Sequence, residues 1–183
     1  EGNSAKKVTM KVENIEAYIN DVYDFPKKGI VFKDITPLLA NFKALSETIS
    51  LLSSPFNNTG ITHVAGVEAR GFIFASLVSE KLGAGFIPLR KAGKLPGETL
   101  QTSYALEYGE ETLELKKGLL SKKNTVLIVD DVLATGGTAE ASAALVASSG
   151  ATIAGFSFLI ELNALHGRQR LGPKHKIKTL LNF

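Results

Sequence analysis

Two adjacent carboxylates, Asp130 and Asp131, stand just before the small-residue run Ala134-Thr135-Gly136-Gly137-Thr138. A pair of carboxylates accepts hydrogen bonds from neighbouring hydroxyls, such as those of a ribose diol. Glycines allow a turn with positive φ and let backbone N–H groups approach a ligand closely. Thr138 can cap a helix, and a helix N-terminus offers oriented N–H donors and partial positive charge to a phosphate. The acids follow an all-apolar run, Val126 to Val129, which suits a strand buried on both faces of a sheet. In an open α/β sheet, ligands sit at the carboxyl end of such strands. The stretch reads as a ribose-5-phosphate site; the alternative is an ordinary strand–turn–helix with acids on its loop.

Two further turns carry charge. Glu68-Ala69-Arg70-Gly71 follows the apolar run Ile61 to Val67, and Arg90-Lys91-Ala92-Gly93-Lys94 follows Phe86 to Leu89. From Lys91 to about Tyr104 the chain has Gly93, Pro96 and Gly97 and little periodicity. A long segment of that kind inside a compact domain is usually functional or disordered. With Lys91 and Lys94 in it, a lid over a phosphate site is the sharper reading, and solvated loop charges the plainer one. Other chemistries are not supported. No G-x-x-x-x-G-K-[ST] loop occurs, and Gly83-Ala84-Gly85 lacks the third glycine of a dinucleotide fingerprint. His63, His166 and His175 have no metal-ligand spacing, and no Ser/His/Asp or Cys/His set is visible.

The 183 residues suffice for one domain with a sizeable core. With no Cys there is neither a disulfide framework nor a thiolate metal site, which fits a cytoplasmic home. No apolar run approaches the ~20 residues of a membrane helix, and no signal peptide is read. The net charge of +3 is scattered, which argues against nucleic acid as partner.

The elements that position these residues follow from periodicity. Helices are predicted over 11–22, Asn41–Ser54 (Asn41 as a possible cap), about 71–82, Ala139–Ser149 with Gly150 as its stop, and 163–171. Strands are predicted over Ile61–Val67, Phe86–Leu89, Val126–Val129, Ile153–Leu162 and, at an edge, His175–Leu181, with a hairpin over Leu106–Leu115. Gly29 to Pro37 is either a strand or an apolar loop. Strand–helix alternation predicts an α/β fold with a mostly parallel central sheet flanked by helices. Residues 1–10 are expected to be a disordered leader and 11–183 a single domain.

The central stretch resembles the phosphoribosyl-diphosphate (PRPP) signature of the type I phosphoribosyltransferases. Glu68-Ala69-Arg70-Gly71-Phe72, Arg90 to Pro96, Tyr104-Ala105-Leu106-Glu107-Tyr108-Gly109 and Gly29 to Ile35 narrow the resemblance to the adenine phosphoribosyltransferases. The resemblance runs from about residue 11 to the end. It implies a type I phosphoribosyltransferase fold with a small N-terminal hood (11–40) and a flexible lid hairpin. The implied reaction is adenine plus PRPP giving AMP and pyrophosphate, with Mg²⁺ bound through PRPP and water and not directly by the protein. Asp130 and Asp131 would hold the ribose hydroxyls, and Ala134, Thr135, Gly136, Gly137 and Thr138 the 5′-phosphate. Arg70 would bind pyrophosphate with Glu68, Ala69, Arg90, Lys91, Lys94 and Tyr108, on a turn with a non-proline cis peptide before Ala69. Val31, Phe32, Lys33 and Leu162 would hold adenine. Glu107 would transfer a proton, and with Asp131 it makes the expected catalytic pair. A homodimer is implied as well. The rivals are a phosphoribosyltransferase for another purine, such as xanthine or hypoxanthine, and a PRPP-sensing regulator.

Overall fold

A computed structural model describes residues 15–105 and 109–183. The chain divides into two compact units, Glu1–Thr48 and Ile49–Phe183. In the first, β1 (Asn20–Tyr23) and β2 (Val31–Asp34) form an antiparallel pair, followed by α1 (Thr36–Ala40). The strand β1 replaces the C-terminal part of the predicted 11–22 helix. Its four residues are all exposed, so Val22 does not mark a buried helical face. The connecting turn contains a cis bond before Pro26, and the Asp24 carboxylate accepts the Gly29 N–H at 2.7 Å. The helix α2 (Phe42–Ser53) begins as predicted. Asn41 Oδ1 accepts the Ala44 N–H at 3.0 Å and so caps an otherwise orphan donor.

The second unit is built on a seven-stranded sheet of order β5-β6-β4-β3-β7-β8-β9. The strands are β3 (His63–Val67), β4 (Gly85–Lys91), β5 (Thr99–Ala105), β6 (Glu110–Lys116), β7 (Thr125–Leu133), β8 (Thr152–Glu161) and β9 (Ile177–Asn182). From β4 to β9 every pairing is parallel, whereas β6 is antiparallel to both β4 and β5. Val126 to Val129 are fully buried, as an all-apolar central strand requires. The helices α3 (Arg70–Leu82), α4 (Gly137–Ser148) and the short α5 (Gly167–Leu171) connect the strands. Leu113, Leu115, Ile128, Leu145 and Phe156 are among the side chains filling the core.

Thr99 to Tyr104, taken as part of a structureless lid, is strand β5, paired residue by residue with β6 from Thr99↔Lys116 to Ala105↔Glu110. The hairpin therefore begins seven residues earlier than the Leu106–Leu115 reading, and the expected site residues Glu107 and Tyr108 lie outside the described residues. The strand β7 runs past Val129 to Leu133, so Asp130 and Asp131 lie within its carboxyl-terminal part and not on a loop, as the alternative reading had them. No described helix is long and apolar enough to cross a membrane.

Candidate active site

The parallel neighbours β3 and β7 end at the same edge of the sheet, and each feeds a turn that opens a helix. That register brings two of the three charged segments together. The β3 turn contains the expected cis bond between Glu68 and Ala69. Arg70, next along, lies with Nε 2.6 Å from Asp131 Oδ2. Among the described residues this buried Oδ2 has no aligned hydrogen-bond donor, and its partner is the charge of Arg70. Asp130 Oδ1 accepts the Asp131 N–H at 2.9 Å. Burial, and next the neighbouring Asp131 charge, push the Asp130 carboxyl well above the usual range. Gly71 makes room for this carboxylate, because a Cβ there would lie 2.5 Å from Asp130 Oδ1.

Beyond β7 the chain turns through Ala134-Thr135-Gly136. Gly136, at φ +83°, takes the left-handed conformation glycine permits and is the residue that starts α4, accepting the Glu140 N–H at 2.9 Å. Thr138 is therefore not the cap as predicted; it lies inside the first turn. Its hydroxyl donates to Tyr104 Oη at 3.2 Å. No described side chain caps α4, which leaves the donors of its first turn open to a ligand or to water. Ala134 to Ala139, with Asp130, surround a small hollow of about 60 Å³.

A second hollow, of about 210 Å³, shares Asp130 and Thr138 with the first. Its other walls include Glu68, Ala69, Arg70, Lys91, Tyr104 and Asp131. It also contains Glu111, which sequence reasoning did not single out. Glu111 pairs with Lys91 Nζ and accepts the Tyr104 hydroxyl at 2.7 Å. Lys91 first and Tyr104 second hold the Glu111 carboxyl below its ordinary value. For Tyr104, burial leads and the Glu111 contact adds, and together they outweigh the Thr138 bond and push its pKa up to about 12. Tyr104 and Glu111 face each other only through the β5–β6 register, so no spacing in the sequence signals them.

The remaining predicted residues are placed differently. Arg90 is committed to Glu68, its Nε 3.0 Å from Oε2, and its Nη1 donates to the Lys94 carbonyl at 3.0 Å. Glu68 also accepts the Lys91 N–H at 3.0 Å. Burial works against ionisation of Glu68, but the Arg90 bond, the Lys91 N–H and the charges of Arg90 and Lys94 outweigh it and set its pKa low. The Lys94 side chain is exposed and lines neither hollow. Val31, Phe32 and Lys33 lie on β2 in the first unit, where Phe32 packs edge-on to Phe25 and Lys33 pairs with Asp21 at 2.6 Å. Leu162 follows β8 in the second unit, its N–H bonded to the Leu133 carbonyl.

Among the described residues no three His, Cys, Asp or Glu side chains gather as a metal cage. The oxygen donors best suited to a hard cation are Asp130 and Asp131, and the buried, undirected Asp131 Oδ2 has acceptor capacity to spare.

The profile of the phosphoribosyl transferase domain matches residues 33–181. Adenine phosphoribosyltransferase of Nitrosococcus oceani is 54% identical over 172 residues, 94% of this chain and 100% of that protein. The chain belongs to the adenine phosphoribosyltransferase family. Its relative from Thermobifida fusca is 54% identical over 157 residues, 86% of this chain and 89% of the relative. The crystal structure of adenine phosphoribosyltransferase from Thermoanaerobacter pseudethanolicus superposes with TM-score 0.91 at 46% identity, covering 94% of this chain and 100% of that one. The Giardia lamblia enzyme in complex with 9-deazaadenine superposes with TM-score 0.91 at 38% identity, covering 96% and 99%. The type I phosphoribosyltransferase fold expected from the resemblance is thus the fold observed.

Proposed function

We propose a division of labour among the residues of this chain for the adenine phosphoribosyltransferase reaction, in which the phosphoribosyl group of PRPP passes to adenine to give AMP and pyrophosphate. The observation that carries it is the uncapped start of α4 beside the Asp130–Asp131 pair. The first-turn amides and Ala134 to Thr138 receive the 5′-phosphate, and the two carboxylates receive the ribose hydroxyls.

In the reaction the bond from the anomeric carbon to pyrophosphate breaks and one from that carbon to an adenine nitrogen forms. Positive charge builds on the sugar and negative charge on the leaving group, so fixed cations at the pyrophosphate end lower the barrier. Arg70 and Lys91 stand at the larger hollow and suit that role, with Lys94, Tyr108 and the Glu68–Ala69 turn completing it. Arg90 acts through Glu68, holding the turn in place. Asp130 and Asp131 fit a Mg²⁺ ion approached through water and bound chiefly by PRPP, which would neutralise pyrophosphate charge. Val31, Phe32 and Lys33 with Leu162 hold adenine. Glu107 takes the proton that neutral adenine must shed, as a positioned carboxylate can. Placement in the cytoplasm and assembly as a homodimer complete the reading, and a solution mass near that of one 19.5 kDa chain would contradict the dimer.

The test is PRPP- and Mg²⁺-dependent nucleotide formation with adenine, hypoxanthine, guanine, xanthine and orotate in parallel. Turnover confined to adenine, abolished by chelation of the metal, is expected. Turnover with an oxopurine in place of adenine would overturn the assignment of the base-binding residues.

A further inference from the structure

Two loops from distant parts of the chain meet at the back of the phosphate turn. A Cβ on Gly136 would lie 2.6 Å from the Gly167 carbonyl oxygen and 3.1 Å from its Cα. A Cβ on Gly167 would lie 2.9 Å from Gly136 N and 3.1 Å from the Ala134 carbonyl carbon. The turn thus rests, backbone on backbone, against the first residue of α5, with no space for a methyl group between them. Wherever α5 sits, the turn must follow.

A helix of five residues has no stability of its own, so its position is set by what ties it down. Leu171 anchors its end in the core, and Arg168 supplies the polar ties. Its Nε and Nη2 make a two-pronged contact with Glu161, at 3.0 and 2.5 Å, and its Nη1 reaches the Ile177 carbonyl at 3.2 Å. Thr179 Oγ1 donates to the same Glu161 carboxylate at 3.0 Å. Glu161 is only 6% exposed and is the last residue of β8, in register with Leu133, the last residue of the strand that launches the phosphate turn. The planar guanidinium fixes both distance and angle, which a flexible ammonium would not. At the far end of α5, Arg170 Nε pairs with Glu140 Oε2 in the first turn of α4.

We propose that Glu161 and Arg168 are positioning residues for the ribose-5-phosphate half of the site, acting through Gly167 on the Ala134–Thr138 turn. The proposal rests on the reading of that turn as the phosphate cradle. Neither side chain lines either hollow. Their influence reaches the site through the Ala134–Thr138 turn; the larger hollow shares only Asp130 and Thr138 with the hollow at that turn, so the ribose-5-phosphate half takes the larger effect.

The experiment measures binding of ribose 5-phosphate and of pyrophosphate, each with Mg²⁺, by calorimetry on the full chain, alongside steady-state kinetics. Arg168→Gln and Gly167→Ala are the test variants; Gly167→Ala leaves both charges in place and carries the test if Arg168→Gln fails to fold. Each is expected to raise the Kd of ribose 5-phosphate about tenfold, with pyrophosphate changed by less than about twofold, since small misplacements of binding groups are costly. KM for PRPP should rise while KM for adenine holds. Arg168→Lys, which keeps the charge and loses the fork, should recover only part of the affinity. Equal weakening of both ligands, or no change in either, overturns the proposal. Thr138→Val serves as the control on the cradle. If it weakens ribose 5-phosphate and the test variants do not, the clamp alone is wrong; if it has no effect, the cradle reading falls and the proposal with it.

Discussion

Gly71→Ala is a substitution for which two physical effects point in opposite directions. Gly71 is the second residue of α3, and in a helix alanine is favoured over glycine by up to about 1 kcal/mol. Propensity alone predicts a more stable protein. The site predicts the reverse. The new Cβ would lie 2.5 Å from Asp130 Oδ1, 3.2 Å from its Cγ and 3.4 Å from its Cα. Ordinary contact begins at 3.4 Å, so the carboxylate must retreat by roughly 0.9 Å, the difference between 3.4 and 2.5 Å. It cannot do so freely, because the same oxygen accepts the Asp131 N–H. Overpacking costs about 1–3 kcal/mol, and losing the hydrogen bond about 0.5–1.5 kcal/mol. Net of the helix gain, the loss is about 2 kcal/mol, or ~4–8 °C in Tm for a chain of this size. The displaced carboxylate should also raise KM for PRPP by about tenfold to a hundredfold, since errors near 1 Å in a positioned group have that effect. Thermal unfolding and steady-state kinetics on Gly71→Ala check both. A variant with unchanged or higher Tm and unchanged KM for PRPP would show that Asp130 is not held against α3 as described.

Asp130→Asn should stabilise the ligand-free protein. A carboxyl whose folded pKa is raised supports folding while protonated, and that support is lost as pH climbs from the ordinary Asp value of 3.8 through the raised one. Melting curves of variant and wild type should therefore coincide at low pH and separate, variant higher, as pH rises; PRPP use should fall at the same time. Thr138→Val removes a hydroxyl at the phosphate turn and should raise KM for PRPP about tenfold or more with KM for adenine unchanged, the scale of one hydrogen bond to a charged group. Glu107→Ala should lower kcat by about 10²–10⁴ with KM for PRPP within about twofold, and an unchanged kcat would remove its proton-transfer role. Glu161→Gln should cost about 2 kcal/mol at neutral pH, less than the ~3–5 kcal/mol of a fully buried pair because Arg168 keeps access to water. Arg168 holds the Glu161 carboxyl low, so this stability is present above the ordinary Glu value of 4.5 and lost as pH falls through the folded one; variant and wild type should converge in acid.

What was legible in the sequence followed from local rules. Val126 to Val129 could be read as a two-faced strand because nothing polar interrupts it, and Asn41 as a cap because its side chain acts within three residues. Strand β5 is hidden from local rules because its inward set, Leu100, Thr102 and Tyr104, is only partly apolar, and Gly93, Pro96 and Gly97 just before it suggest a loop. Residue type points to Thr138 as the cap, whereas the turn needs positive φ two residues earlier, which Gly136 supplies without strain. The Tyr104–Glu111, Arg70–Asp131 and Glu161–Arg168 contacts depend on strand register and on which turns share an edge of the sheet. Adjacent letters do not encode those.

The most direct measurement is a ¹H–¹⁵N titration of the ligand-free protein with ribose 5-phosphate. A phosphate seated on the start of α4 should shift the amides of Thr135, Gly136, Gly137 and Thr138 most strongly, with smaller changes at Asp130 and Asp131. Shifts concentrated instead at the open hollow lined by Asn57, Asn58, Thr59 and Lys81, with the α4 amides unmoved, would contradict the placement of the phosphate.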